Sequence, residues 1–247
     1  MEQDEIRVDE IAPDVYRLSV YMARFNLQFN SFLIKDDEPL LYHTGMRAMF
    51  PLVRQAVARV IKPSEIRWLG ASHFEVDEWG GLNDWLQEAP QATPVCGEIG
   101  ALVNLNDFSP RPPRLVAQAE ILSTGSYRFR LYPTPHLPHG WDATMLYEET
   151  QQTLFCSDLF HQNGNVKPLV GSDIVASSRR SLLEFQSAGP LMAYMPYTST
   201  TKRLLHKLAA LQPKTLAVMH GSSFAGDCPG ALHDLVVVMR EVYGAPE

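Results

Sequence analysis

Apolar residues fall first into short alternating or continuous runs and later into runs with helical spacing. Residues 14–20 (DVYRLSV), 31–35 (SFLIK) and 39–42 (PLLY) have the length and composition of strands, separated by turn-formers such as Asp36 and Asp37. Residues 51–61 (PLVRQAVARVI) carry apolar positions at helical spacing behind a proline, which suits a first helical turn. The pattern then predicts a buried strand over 66–71, a short helix over 82–89 stopped by Pro90, a strand over 93–97 and a helix reaching Leu105. The proline-rich segment 109–114 (SPRPPR) reads as a rigid surface loop, not a domain boundary, because strands resume after it over 119–122, 127–132, 144–148 and 153–157. From Ser178 the spacing turns helical, one further strand is predicted over 215–219, and a closing helix over 230–243. This order implies an α/β protein with mixed sheets covered by helices, in three or four layers within one domain.

Composition narrows the function classes. Basic residues number 21 and acidic 28, and the resulting charge of −7 removes the main electrostatic term for nucleic acid or an anionic membrane surface. No apolar run approaches the roughly 18 residues that span a bilayer. The first ten residues, MEQDEIRVDE, are acidic and polar, unlike a secretory signal. Cys96, Cys156 and Cys228 form no CxxC pair, which argues against a disulfide framework and a four-thiolate site and predicts a cytoplasmic protein.

The eight histidines carry the chemical signal. After the strand IRWLGA comes His73-Phe74-Glu75-Val76-Asp77, followed by Glu78, Trp79 and the pair Gly80-Gly81. In an extended segment the side chains of His73, Glu75 and Asp77 project to one side. An exposed polar loop is the competing reading of the His-x-Glu pair alone. The strand before it, the aspartate and the two glycines behind it favour metal ligands. His139, Asp158 and His220 each lie where an apolar run stops, and ligands in α/β folds gather at the carboxyl ends of strands.

Together these motifs resemble the metallo-β-lactamase superfamily, and specifically its di-iron branch, the flavodiiron and related oxygen-binding di-iron proteins. The resemblance rests on His73/Glu75/Asp77, His139 with Asp142 three residues on, Ser157-Asp158 and His220-Gly221, with 19 residues from His139 to Asp158 and 62 from Asp158 to His220. It implies an αββα four-layer sandwich over residues 1–247, a single metallo-β-lactamase-like di-iron domain. It also implies a centre of two iron ions, with Asp158 bridging, His73, Glu75 and His139 on one metal, and Asp77 and His220 on the other. Hydrolytic members carry a histidine where this chain has Glu75. Three carboxylates beside three imidazoles favour iron or manganese over zinc.

Two positions depart from that pattern. Glu78 stands where the branch usually has histidine, and coordination, a bound water or a turned-away side chain are all open to it. His43, in LYHTG, stands where an aspartate is usual; a donor to a ligand carboxylate and a buried imidazole bonded to backbone are equally open. His136 rivals His139, which the interval and Asp142 favour. His161, Tyr197, Trp79 and Trp141 are candidate pocket walls or packing residues, and His206 and His233 fit solvent-facing helix positions.

Flavodiiron reductases carry a C-terminal flavodoxin domain. No such unit, no phosphate loop for FMN and no rubredoxin-type cysteine set is visible here, so no FMN is expected in this chain. Three readings follow. The first is a di-iron protein that binds or reacts with O2, as a sensor or carrier with a signalling partner. The second is an O2 or NO reductase fed by a separate flavoprotein or rubredoxin. The third is a metal-dependent hydrolase using metal-bound hydroxide. The resemblance also implies a homodimer, although the functional need for one falls away without a flavin domain.

Overall fold

The computed structural model describes residues 6–189 and 194–244. Two seven-stranded sheets face each other. The first runs in chain order through Ile6–Ala12, Val15–Met22, Leu27–Ile34, Leu40–Tyr42, Trp68–Gly70, Thr93–Cys96 and Arg114–Leu115. Its first four strands are antiparallel and its last three join in parallel. The second sheet begins with the meander Leu122–Ser123, Arg128–Pro133, Thr144–Glu148 and Thr153–Phe155, then continues through Thr215–Ala217, Ser223–Phe224 and Leu169–Val170.

The period-two alternation of these strands feeds three separate cores, because both faces of each sheet are covered. Leu33, Leu41 and Leu69 point outward, under the helices Phe50–Val57 and Leu82–Glu88. Their neighbours Phe32, Ile34, Leu40, Tyr42 and Trp68 point inward and meet Phe129, Leu131, Leu146, Phe155 and Ala217 of the second sheet. On that sheet Leu154, Cys156, Leu216 and Val218 point outward again, under Ile174–Ser187, Thr201–Ala209 and Cys228–Tyr243. The result is the four-layer metallo-β-lactamase-like sandwich. No helix among the described residues is long and apolar enough to cross a membrane.

Several boundaries differ from the pattern-based expectation. The strand Ile6–Ala12 lies in a segment whose charge dominates its composition; its apolar residues Ile6 and Val8 alternate with Arg7 and Asp9 and pair with Val20 and Leu18. The helix expected to start at Ser178 starts at Ile174, and the last helix starts at Cys228, where the Asp227 side chain accepts from the Gly230 N–H at 2.9 Å. The predicted strand over 119–122 is reduced to Leu122–Ser123. The end of the proline-rich segment, Arg114 with Leu115, extends the first sheet.

The inter-sheet layer is tied by aromatic contacts, with Phe155 5.5 Å from Phe32 and 5.3 Å from Tyr42 between ring centroids. Phe155 is fully buried. Phe155→Ala is expected to destabilise the metal-free protein by about 3–5 kcal/mol, read from denaturant unfolding. A loss under about 1 kcal/mol would show that the sheets are not held together there.

Candidate metal centre

The site forms where strand ends of both sheets converge. His73 follows Trp68–Gly70, His139 lies in the loop joining Arg128–Pro133 to Thr144–Glu148, Asp158 follows Thr153–Phe155, and His220 follows Thr215–Ala217. The His73–Asp77 segment is not extended throughout, as the spacing suggested. Glu75 is extended, but Val76–Trp79 is a helical turn, so Asp77 enters the site from the first turn of that helix. The turn is held against the loop before it: a side chain at Gly81 would put its Cβ 2.7 Å from the Thr44 carbonyl oxygen. At the other end Gly221 has φ +130°, a conformation that suits glycine, and a Cβ there would meet Gln162.

All six residues singled out by spacing come together, in two nests that share Asp158. In the first, donor atoms of His73, Glu75, His139 and Asp158 lie within 4.8 Å of one another. His139 Nε2 is 2.8 Å and His73 Nε2 3.6 Å from Asp158 Oδ2, and Glu75 Oε2 is 3.8 Å from His73 Nε2. In the second, His220 Nε2 is 3.2 Å from the other Asp158 oxygen, Oδ1, and 3.3 Å from Asp77 Oδ2. His73, Asp77, Asp158 and His220 are buried, His139 is 15% exposed, and Glu75 is 47% exposed at the rim.

Hydrogen bonds fix the imidazoles for ligation. His220 Nδ1 donates to the Gln28 carbonyl at 2.9 Å, which turns Nε2 toward Asp77 and Asp158. His73 Nδ1 faces Ser72 Oγ at 2.8 Å and Glu78 Oε1 at 3.2 Å, and its Nε2 is buried in the site with no hydrogen-bond partner. A buried, unpartnered nitrogen between two carboxylates, Glu75 and Asp158, fits a metal ion, and the donor set suits a hard cation such as iron.

Electrostatics point the same way. Burial opposes the charge on His73, but Glu78, Glu75 and Asp158 outweigh it and push the imidazole up to about 10. Burial likewise opposes charge on His220, and Asp158 and Asp77 carry it well above the usual histidine range. Burial would raise Asp158, yet its hydrogen bonds to His139 and His220 hold it well below the usual carboxylate range. In the metal-free site the carboxylates are balanced by the imidazoles they raise, a charge that a bound cation would take over.

Glu78 is not turned toward either nest. It is buried beneath His73, where it accepts from the backbone N–H of Ser72 at 2.7 Å and of His73 at 2.9 Å, and from the hydroxyls of Ser72 at 2.6 Å and Ser157 at 3.0 Å. His43 faces Glu78, with Nε2 3.7 Å from Oε1, and its Nδ1 lies 3.4 Å from the Asn30 carbonyl; it reaches no ligand carboxylate of the two nests directly. Burial lowers His43, more than Glu78 raises it.

The remaining candidates divide. His136 is exposed and apart from the site. His161 lines a pocket of about 270 Å³ together with Leu27, Phe29, Phe185 and Tyr194, over Glu75, Asp77, Asp158 and His220. Tyr197 packs against the core instead, and the pocket tyrosine is Tyr194, whose hydroxyl is 2.7 Å from His161 Nδ1. Trp79 is buried in the outer core, Trp141 is 58% exposed, and His206 and His233 face solvent. Sequence reasoning passed over Tyr194, which follows no periodic run. It also passed over Arg17, a fully buried guanidinium whose Nη2 donates to the Gly221 carbonyl at 2.9 Å. The signal for Arg17 was a charge inside an otherwise apolar strand.

Comparison with known proteins places this geometry. Residues 27–221 match the family model described as ODP family beta lactamase. A curated relative, diflavin flavoprotein A 3 of Nostoc sp., is 30% identical over 171 residues, covering 63% of this chain and 29% of its own length. The rubredoxin-oxygen oxidoreductase of Megalodesulfovibrio gigas is 24% identical over 203 residues, covering 80% of this chain and 49% of its own. A mutant of the flavo di-iron protein from Thermotoga maritima superposes with a TM-score of 0.83 at 18% identity, over 97% of this chain and 62% of that one, a likeness of fold. The chain thus spans half or less of the length of these two curated relatives.

The raised imidazoles make metal uptake a proton-releasing event. In the metal-free site His73 and His220 hold protons at pH 7, below their raised values, and ligation needs them neutral. Ferrous ions added at pH 7 are expected to release protons, and affinity is expected to rise with pH above 7. Calorimetry in buffers of different ionisation enthalpy measures this; no net release would contradict the electrostatic account.

Proposed function

Because the chain belongs to the ODP beta-lactamase family, we propose that it is a non-haem di-iron protein that binds and reacts with O2. The observation that carries the reading is Asp158, a buried carboxylate with one oxygen in each of two nests, 2.8 Å from His139 Nε2 and 3.2 Å from His220 Nε2. A single metal would need only one of these nests. His73, Glu75 and His139 would hold one ion, Asp77 and His220 the other, and Asp158 both. Iron bound there supplies the electron exchange with O2 that no side chain in the site offers.

The protein's own part is to shape the surroundings. Leu27, Phe29, Phe185 and Tyr194 give the pocket an apolar and ring surface beside the carboxylates and imidazoles, which suits an uncharged diatomic. Glu78 and the Gln28 carbonyl keep the two imidazoles aimed inward. Glu75, half exposed at the rim beside the largely covered His139, leaves one side of the first nest open to an electron carrier.

A second reading, turnover of O2 or NO with electrons from a separate flavoprotein or rubredoxin, is supported by the relative named rubredoxin-oxygen oxidoreductase. The two share one site and differ in electron supply.

Anaerobic loading with ferrous iron is expected to give about two irons per chain, and air should then produce a visible absorption band. Asp158→Ala is expected to leave at most about one iron and no band. Steady consumption of O2 or NO with an added flavin reductase would favour turnover. Two zinc ions with thioester hydrolysis, or two tightly held irons in Asp158→Ala, would overturn the assignment.

A further inference from the structure

The two nests differ in what the protein gives them. The first gathers four side chains, His73, Glu75, His139 and Asp158. The second gathers three, Asp77, His220 and the far oxygen of Asp158. Two neighbours could complete it, and both are committed elsewhere. Glu78, next to Asp77 in the chain, is held beneath His73 by the Ser72 and His73 N–H groups and the Ser72 and Ser157 hydroxyls. His161, with its ring centroid 5.2 Å from that of His220, has Nδ1 2.7 Å from the Tyr194 hydroxyl and Nε2 3.0 Å from Asn163 Oδ1. Exposure to the pocket is unequal too. Asp77, His220 and Asp158, the whole second nest, line its wall, whereas of the first nest only Glu75 and the shared Asp158 do.

We infer that the two metal positions are unequal: His73, Glu75, His139 and Asp158 form a tight, retained position, and Asp77, His220 and Asp158 form a labile position at which the gas binds. The inference rests on the di-iron reading. It follows from ligand number, since a metal with three protein donors gives up fewer contacts on leaving and keeps more places for an exogenous ligand. Turning Glu78 away from the second nest is what leaves those places open, and the same turn orients His73 in the first.

The test is anaerobic titration of the metal-free full chain with ferrous iron alone. Two steps are expected, the first at least about tenfold tighter than the second. His220→Ala should keep the tight step and lose the weak one, and His139→Ala should lose the tight one. Chain loaded with one equivalent of zinc and then one of ferrous iron places iron in the labile position, and nitric oxide should give an EPR signal of about one spin centre per chain. Two steps of equal affinity, loss of the tight step in His220→Ala, or silence of the zinc–iron form toward nitric oxide would each overturn the inequality while leaving a di-iron site. Failure to bind iron at all would overturn the di-iron reading itself.

Discussion

The structure turns on one buried carboxylate. Asp158 sits at the seam between two sheets, with Oδ2 toward His139 and Oδ1 toward His220. Desolvating a charge there is unfavourable unless cations or strong donors surround it, and the fold supplies imidazoles on both sides. Each partner arrives from a different strand end, so the site exists only when both sheets are in register. The inter-sheet core of Phe32, Tyr42 and Phe155 therefore positions the chemistry as well as stabilising the chain.

Two polar ties, one for each nest, reach across the same seam. Under the first, Glu78 from the first sheet's side collects Ser72 and also Ser157, the residue before Asp158. Under the second, Arg17 donates to Gln28 and to the Gly221 carbonyl, and Asn30 donates to the same carbonyl and to that of Val218. Burial pushes Arg17 down to about 9, with Arg7 adding to the effect and Asp9 opposing it. Both ties fix a loop that carries residues of the nests, and neither contributes a donor atom to them.

The six residues of the site were legible because spacing and strand ends are local properties. An apolar run that stops at a histidine or aspartate marks a strand terminus, and in a layered α/β fold those termini converge. The interval to Asp158 separated His139 from His136, and the structure leaves His136 exposed and outside both nests. What was not legible depends on direction. Nothing in the chain order says whether Glu78 turns toward the two nests or beneath His73; the donors that draw it in come from Ser72 and from Ser157, 79 residues away. Tyr194, not Tyr197, reaches the pocket for the same reason: its position is set by contact with His161, 33 residues distant. The strand Ile6–Ala12 was hidden by its charges: Arg7 and Asp9 face Val166 and the buried Arg17, while Ile6 and Val8 pack into the outer core with Val20 and Leu18.

EPR spectroscopy of the iron-loaded, air-oxidised protein tests the shared carboxylate most directly. If Asp158 holds both metals, two irons there would be close enough to couple magnetically, so a sample with about two irons per chain is expected to show almost no ferric signal, and a coupled mixed-valence signal after one-electron reduction. A full-intensity signal of isolated high-spin ferric ions would contradict it, since the two nests would then hold their metals independently.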